Sequence, residues 1–422
     1  MRRAVLVVCD SLRRDLITRA TAPALAALAE TSADFATCTG VFPSVTRVTS
    51  ACIATGCRPA AHGLLGNTMV LDEGDGLVCL SVGKPEFRER MRRATGATLR
   101  RPTLAERLVA HGGSIVMSNV SAGAAYFQDP DGYGWVYHRA GSFGPSLQPV
   151  PPGEGLAIEQ GSAGDAAMTD RFCQDVLKTR RPALAVLWLS EPDYTGHRAP
   201  LGSPAHLEAI AGADRCVQHV LRTLDALGDG EEPLLIVGSD HGMETTGRTI
   251  PVDRLLVEAG LKAAADSRDI VVAPNGTAAL ISRSRAAKAT VEDLRRFLEG
   301  EDWVDRVLTG PELAARGLPV DGALAVAVTL RADDRPNEFG VRGYSDIALD
   351  PEATLDYTGC GQHGGLGPNE QRPFLFVRGP GFAPGRRGDI GVSPLDIAPT
   401  VLHHLGLAWA GVDGRPLMLR SA

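Results

Sequence analysis

The stretch Pro233-Leu234-Leu235-Ile236-Val237-Gly238-Ser239-Asp240-His241-Gly242-Met243 decides the reading of this chain. An unbroken apolar run stops at an adjacent carboxylate and imidazole, and glycine follows. A buried central strand whose C-terminal tip carries chemistry reads this way. Asp240 and His241 offer an oxygen and a nitrogen donor, a pairing suited to zinc or a similar divalent ion. The dipeptide alone is a weak signal. It gains weight because other segments end in the same manner.

Upstream, Ala4 to Cys9 is a continuous apolar run that stops at Asp10. Pro182 to Leu189 is another, and it runs into Ser190-Glu191-Pro192-Asp193-Tyr194-Thr195-Gly196-His197. Asp193 and His197 are four apart, so one helical turn or a tight loop brings them together. Downstream, His363 sits in the glycine-rich loop Gly361-Gln362-His363-Gly364-Gly365. Taken singly, Asp10 reads equally as a helix cap, and the Asp193–His197 segment as an exposed turn. Helical patterns separate the apolar runs: Thr21 to Glu30 with Thr21 as N-cap, Leu104 to Ala110, Ala167 to Lys178, Ala205 to Leu227 and Leu395 to Leu405. Ser114 to Met117 and Pro373 to Val377 read as further strands. The alternation predicts an α/β fold, a doubly wound and mostly parallel sheet sandwiched by helices.

A helix is also expected from near Thr46 to Gly56. A hydroxyl at a helix N-terminus meets exposed amides and the positive end of the helix dipole, which suits a nucleophile attacking phosphorus. A plain N-cap is the other reading of Thr46. The loop from His62 to Asn67 offers one amide, at Asn67, and a histidine that reads as structural. Residues 121–165, rich in glycine, proline and aromatics, read as a long irregular excursion. Residues 246–354 change character and read as an inserted, smaller α/β cap domain. The core is then 1–245 together with 355–422.

The 422 residues are 44% hydrophobic and 22% charged, with a net charge of −7. No Lys/Arg-rich block is present, which argues against a nucleic-acid partner. No apolar run approaches the ~20 residues of a membrane span. Met1-Arg2-Arg3 leads straight into the first strand, not into a signal peptide. The eight cysteines form no CxxC pair and read as buried free thiols. The expected setting is the cytoplasm, with self-association left open. His403 and His404 lie far from other candidate ligands and read as core or surface residues.

Asp10, Thr46, Asp193, His197, Asp240, His241 and His363 thus converge if the strands are parallel. Three carboxylates and three histidines exceed what one catalytic zinc takes. They suit two metals roughly 3.5–4 Å apart.

The motifs FPSVT ending at Thr46, HGLLGN ending at Asn67, EPDYTGH, SDHGM, GQHGG and DIAPTVLHHLG appear in that order. Through them the chain resembles the alkaline phosphatase superfamily, and most closely its nucleotide pyrophosphatase/phosphodiesterase branch. The resemblance implies a hydrolase that cleaves phosphodiester or nucleotide pyrophosphate bonds in a small phosphorus-ester substrate. It implies two divalent ions, zinc first, with manganese or iron as alternatives. Asp193, His197 and His363 would hold one. Asp10, Asp240, His241 and Thr46 would hold the other. Thr46 would attack phosphorus and form a phosphothreonine intermediate. Asn67, and the amide of Arg47, would donate to the phosphoryl group.

Two positions depart from the branch. Arg47 stands where an aromatic residue is usual, and a guanidinium there suits an anionic substrate group or a structural role. Trp188 stands near the place of a stacking tyrosine, where it either touches substrate or packs in the core. Phosphonoacetate hydrolase is a close relative by the same resemblance, but SNVSAGAAYFQD lacks the lysines expected there. A phosphomonoesterase is a further alternative. Thr46-Arg47-Val48-Thr49 excludes the formylglycine motif of sulfatases. The rival of another class is a non-catalytic binding protein stabilised by metal.

Overall fold

The computed structural model describes residues 2–228, 232–385 and 391–420. Its largest sheet has seven strands in the order Ala33–Asp34, Leu375–Arg378, Leu234–Gly238, Ala4–Cys9, Leu184–Leu189, Ser114–Ser118, Trp135–His138. The five from Leu234–Gly238 to Trp135–His138 are mutually parallel. Leu375–Arg378 and Ala33–Asp34 continue the sheet in antiparallel pairings.

Register explains why the site forms where it does. Ala4–Cys9 pairs in parallel with Leu184–Leu189, Cys9 opposite Leu189, and with Leu234–Gly238, Val8 opposite Gly238. The residues that follow each strand, Asp10, Ser190 to Asp193 and Ser239 to His241, therefore leave the sheet at one edge. Both faces of the sheet are covered, which is why these strands are apolar at every position. Val5, Val7 and Cys9 pack with the helices Pro23–Thr31, Ser162–Arg171 and Pro204–Leu227 on one face. Ala4, Leu6 and Val8 pack with Thr46–Thr55 and Ile397–His404 on the other. Burying each Val or Leu side chain stabilises the fold by roughly 1.5–3 kcal/mol.

Local chemistry sets the long helix. Ser203 caps it by accepting from the His206 N–H, Pro204 occupies its first turn, and Gly228 ends it in the left-handed region. The helix Thr46–Thr55 likewise stops at Gly56, with φ 69°.

Three local expectations are corrected. The first helix begins at Pro23 with Ala22 as its cap, because Thr21 is engaged with Thr18. Residues 121–165 contain the edge strand Trp135–His138 of the main sheet and the short helix Ala122–Tyr126. The helix expected from Ala167 starts at Ser162 and continues as a wider π-helix over Phe172–Arg180.

A second body of strands stands over the same edge. Ile270–Asn275, Ala278–Arg283, Leu324–Leu330 and Val304–Leu308 form an antiparallel sheet with its own apolar core around Leu256, Ile281, Leu294 and Val326. A further four-stranded sheet joins Ala332–Pro336, Arg342–Ala348, Glu244–Ile250 and Gly361–Gln362. Glu244–Ile250 crosses the first boundary expected for the insertion, and it links the Asp240–His241 tip to the strand before His363. Among the described residues no helix is long and apolar enough to cross a membrane. All eight cysteines are free, and six are buried.

Candidate metal centre

The strand ends and loops bring six side chains into two groups: Asp193, His197, His363 and Asp10, Asp240, His241. Within each group the ligand-type atoms lie within 4.8 Å of one another. The groups touch, since the His241 and His363 rings stack with centroids 3.7 Å apart.

In the first group both imidazoles turn Nε2 toward Asp193 Oδ1, at 3.3 Å from His197 and 3.5 Å from His363. Their other nitrogens face backbone carbonyls: His197 Nδ1 is 2.9 Å from Gly361 O, and His363 Nδ1 is 2.8 Å from Ser44 O. A carbonyl only accepts, so Nδ1 carries the proton in both rings and Nε2 presents its lone pair inward. Two lone pairs and a carboxylate oxygen facing each other repel unless a cation lies between them.

In the second group His241 Nε2 lies 3.0 Å from Asp240 Oδ2 and 3.9 Å from Asp10 Oδ1. Asp10 Oδ1 and Asp240 Oδ2 are buried and have no hydrogen-bond partner. Burial, and then the neighbouring Asp240 and Asp193 carboxylates, push the Asp10 carboxyl well above its ordinary value, while the Trp188 indole pulls the other way. Orphaned buried carboxylate oxygens beside imidazole nitrogens are what a divalent cation satisfies. The mixed oxygen and nitrogen donors of these groups fit a divalent metal ion.

Thr46 opens its helix next to the second group, with Oγ1 3.1 Å from His241 Nε2. Asn67 is fixed by the second body of strands, because its N–H donates to Asn275 Oδ1 at 2.6 Å. Its own Oδ1 accepts from the Arg47 N–H at 3.3 Å. The Arg47 amide is thereby engaged with Asn67, contrary to the expectation that it is free for a phosphoryl oxygen. The amide nitrogen of Asn67 keeps its donors.

The Arg47 guanidinium donates to the Asn67 carbonyl and to Ser121 Oγ. Burial pushes its pKa down to about 10, with Asp350 opposing. A Cβ on Gly83 would meet Arg47 Nη2 at 2.6 Å, so the guanidinium passes close against that glycine. Arg47, Asn67, His197, His363 and Tyr357 line a cavity of about 380 Å³ over the first group.

Trp188 sits apart from that cavity. It is fully buried, pairs with Val8 across the sheet and belongs to the core. The expectation of substrate contact is corrected, since core packing is the role its position supports. His62 is also buried, with Nε2 3.3 Å from Cys52 Sγ, and burial pushes its pKa down to about 3. His404 bonds the Arg3 carbonyl.

Two supporting residues carry little signal in the sequence. Ser11 follows Asp10 directly and touches both groups. Glu370 accepts from Ser44 Oγ, Thr277 Oγ1 and the N–H groups of Gly364, Gly365 and Gly367, so it shapes the loop that carries His363. Its only sequence signal is a carboxylate seven residues beyond that histidine in a glycine-rich segment.

A profile of the type I phosphodiesterase / nucleotide pyrophosphatase family matches residues 4–351. No curated protein sequence matches the chain. Among solved structures, murine ectonucleotide pyrophosphatase/phosphodiesterase 5, in an inactive form in complex with AMP, aligns with a TM-score of 0.69 at 17% identity. That alignment covers 98% of this chain and 97% of the murine one. Phosphonoacetate hydrolase from Sinorhizobium meliloti 1021, in complex with phosphonoformate, aligns with a TM-score of 0.66 at 19% identity, covering 96% of this chain and 95% of that one. At such identities the likeness is one of fold.

Proposed function

The chain belongs to the type I phosphodiesterase / nucleotide pyrophosphatase family, and on that premise we propose that it is a two-metal hydrolase of phosphodiester or nucleotide pyrophosphate bonds with Thr46 as nucleophile. One observation carries the reading: two three-ligand groups meet beside a helix-terminal hydroxyl.

Asp193, His197 and His363 would hold one divalent ion, and Asp10, Asp240 and His241, with Thr46, the other. Bound there, such ions would lower the pKa of the Thr46 hydroxyl and offset charge on the phosphoryl oxygens. The chain's own residues supply the rest. Thr46 Oγ1 gives up its proton to solvent and attacks phosphorus in line, the bond to the opposite ester or anhydride oxygen breaks, that alcohol or phosphate departs, and the helix N-terminus behind Thr46 favours the negative charge that builds there. The ester formed on Thr46 is then hydrolysed. The Asn67 amide donates to a non-bridging oxygen, held in place by Asn275 on one side and Arg47 on the other. Arg47 contributes a positive charge at the cavity wall, which suits a small anionic phosphorus ester.

The test is metal analysis of the purified protein together with a substrate panel. We expect two divalent ions per chain and hydrolysis of bis(p-nitrophenyl) phosphate or of a nucleotide pyrophosphate, both lost on chelation. Preferential cleavage of phosphonoacetate or of a phosphomonoester would move the assignment within the superfamily. A metal-loaded protein silent on every substrate would favour the non-catalytic binding protein.

A further inference from the structure

Ser11 is 3% exposed and has φ 58°, in the left-handed region that non-glycine residues seldom enter. Backbone strain of this kind persists where surrounding contacts enforce it, and here the contacts are all with candidate metal ligands. The Ser11 N–H donates to Asp240 Oδ1 at 3.0 Å. Its Oγ lies 2.7 Å from Asp193 Oδ1 and 3.0 Å from His241 Nδ1.

Direction follows from the partners. A carboxylate only accepts, so the Ser11 hydroxyl donates to Asp193 Oδ1. That is the same oxygen the His197 and His363 Nε2 atoms face. With its proton committed, Ser11 Oγ accepts from His241 Nδ1–H, which is also 3.1 Å from the Gly242 carbonyl. The His241 proton is thereby held on Nδ1 and the lone pair of Nε2 is left for the second group. The backbone bond to Asp240 Oδ1 leaves Oδ2, the oxygen without a partner, turned toward the same place.

We infer that Ser11 is a positioning residue that couples the two metal half-sites, through the chain His241 Nδ1–H to Ser11 Oγ–H to Asp193 Oδ1. Cation binding at one group, by fixing Asp193, orders the imidazole of the other. The inference rests on the two-metal reading above. It goes beyond that reading by assigning the link between the sites to one hydroxyl.

The test is zinc binding to the metal-free full chain, followed by competition with a chromophoric chelator, for wild type, Ser11→Ala and Ser11→Gly. Ser11→Ala removes the hydroxyl and keeps the strain. Ser11→Gly removes both, so it melts higher than Ser11→Ala when both are metal-free. We expect both variants to lose zinc affinity by about 10–100-fold, the usual effect of removing an outer-shell partner. We also expect the two zinc ions to bind independently in both variants. Wild-type affinity in Ser11→Gly with a loss only in Ser11→Ala would show that the hydroxyl does no more than hold a strained backbone, and would overturn the inference. Unchanged affinity in both variants, beside a wild type that binds two zinc ions, would overturn it alone. A wild type that binds no zinc would overturn it together with the two-metal reading.

Discussion

Thr46 Oγ1 lies 3.1 Å from His241 Nε2, so a hydroxyl from the start of one helix and an imidazole from the end of one strand share a single point in space. Neither group depends on the other for its placement. The helix is set by its packing and by Gly56, and the strand by its parallel register with Ala4–Cys9. Thr46→Ala should therefore fold, keep most of its bound metal and lose at least ~10³-fold in kcat, as expected when a nucleophile is removed. Steady-state kinetics beside metal analysis checks this. Retained turnover would remove Thr46 from the reaction.

Asn67 tests electrostatic stabilisation. Its backbone N–H is held by Asn275 and its side-chain Oδ1 by the Arg47 N–H before any substrate arrives, which is the preorganisation such a donor needs. Asn67→Ala should lower kcat by roughly 10²–10³-fold with little change in KM. A change confined to KM would reduce Asn67 to a binding contact.

The His363 loop lies directly against the second body of strands. A Cβ on Gly276 would come within 1.9 Å of the His363 carbonyl, and Gly276 has φ 63°. Gly276→Ala should push the loop away from Asp193 and lose the metal of the first group, while Asp10, Asp240 and His241 keep the other at reduced affinity. Metal stoichiometry checks it, and two full equivalents in the variant would contradict it.

Glu244 and Glu370 form a buried acidic pair behind the site. Burial, and then the charge of Glu370, push Glu244 up to about 8. Its folded pKa lies above the value near 4.3 of an unfolded glutamate, so between these values the folded state binds more protons than the unfolded one. Stability is then greatest at the acidic end of that window, and falls as pH rises toward 8 by an amount on the order of a few kcal/mol. Glu244→Gln should flatten the dependence. Urea unfolding at pH 5 and pH 8 reads it, and identical slopes in wild type and variant would refute it.

The parts legible in the sequence were those written in strand ends. Asp10, Asp193 and Asp240 were readable because a continuous apolar run stopped before each, and parallel register then carried all of them to one edge. Thr46 was readable because a hydroxyl opened and a glycine closed one helical segment. The Trp135–His138 strand was hidden because four residues in a glycine-rich segment carry too little period to distinguish strand from loop. Trp188 was ambiguous for a related reason. In a strand apolar on both faces no alternation tells which way a side chain points, and only the packed structure showed it buried. Ser11 escaped notice because its value lies in a backbone angle, which a serine codon does not announce. The tie between the second body of strands and the site, through Asn275 and Gly276, depends on contacts more than 80 residues apart in sequence, Gly276 against His363 being one of them.

Catalysis by this site turns on a covalent step at Thr46. Metal-loaded protein mixed with excess diester, quenched in acid during turnover, and mapped by peptide mass spectrometry tests it most directly. The substrate's phosphoryl group should be found esterified to Thr46 in wild type, with no adduct in Thr46→Ala. An adduct on another residue, or full turnover by Thr46→Ala, would contradict it.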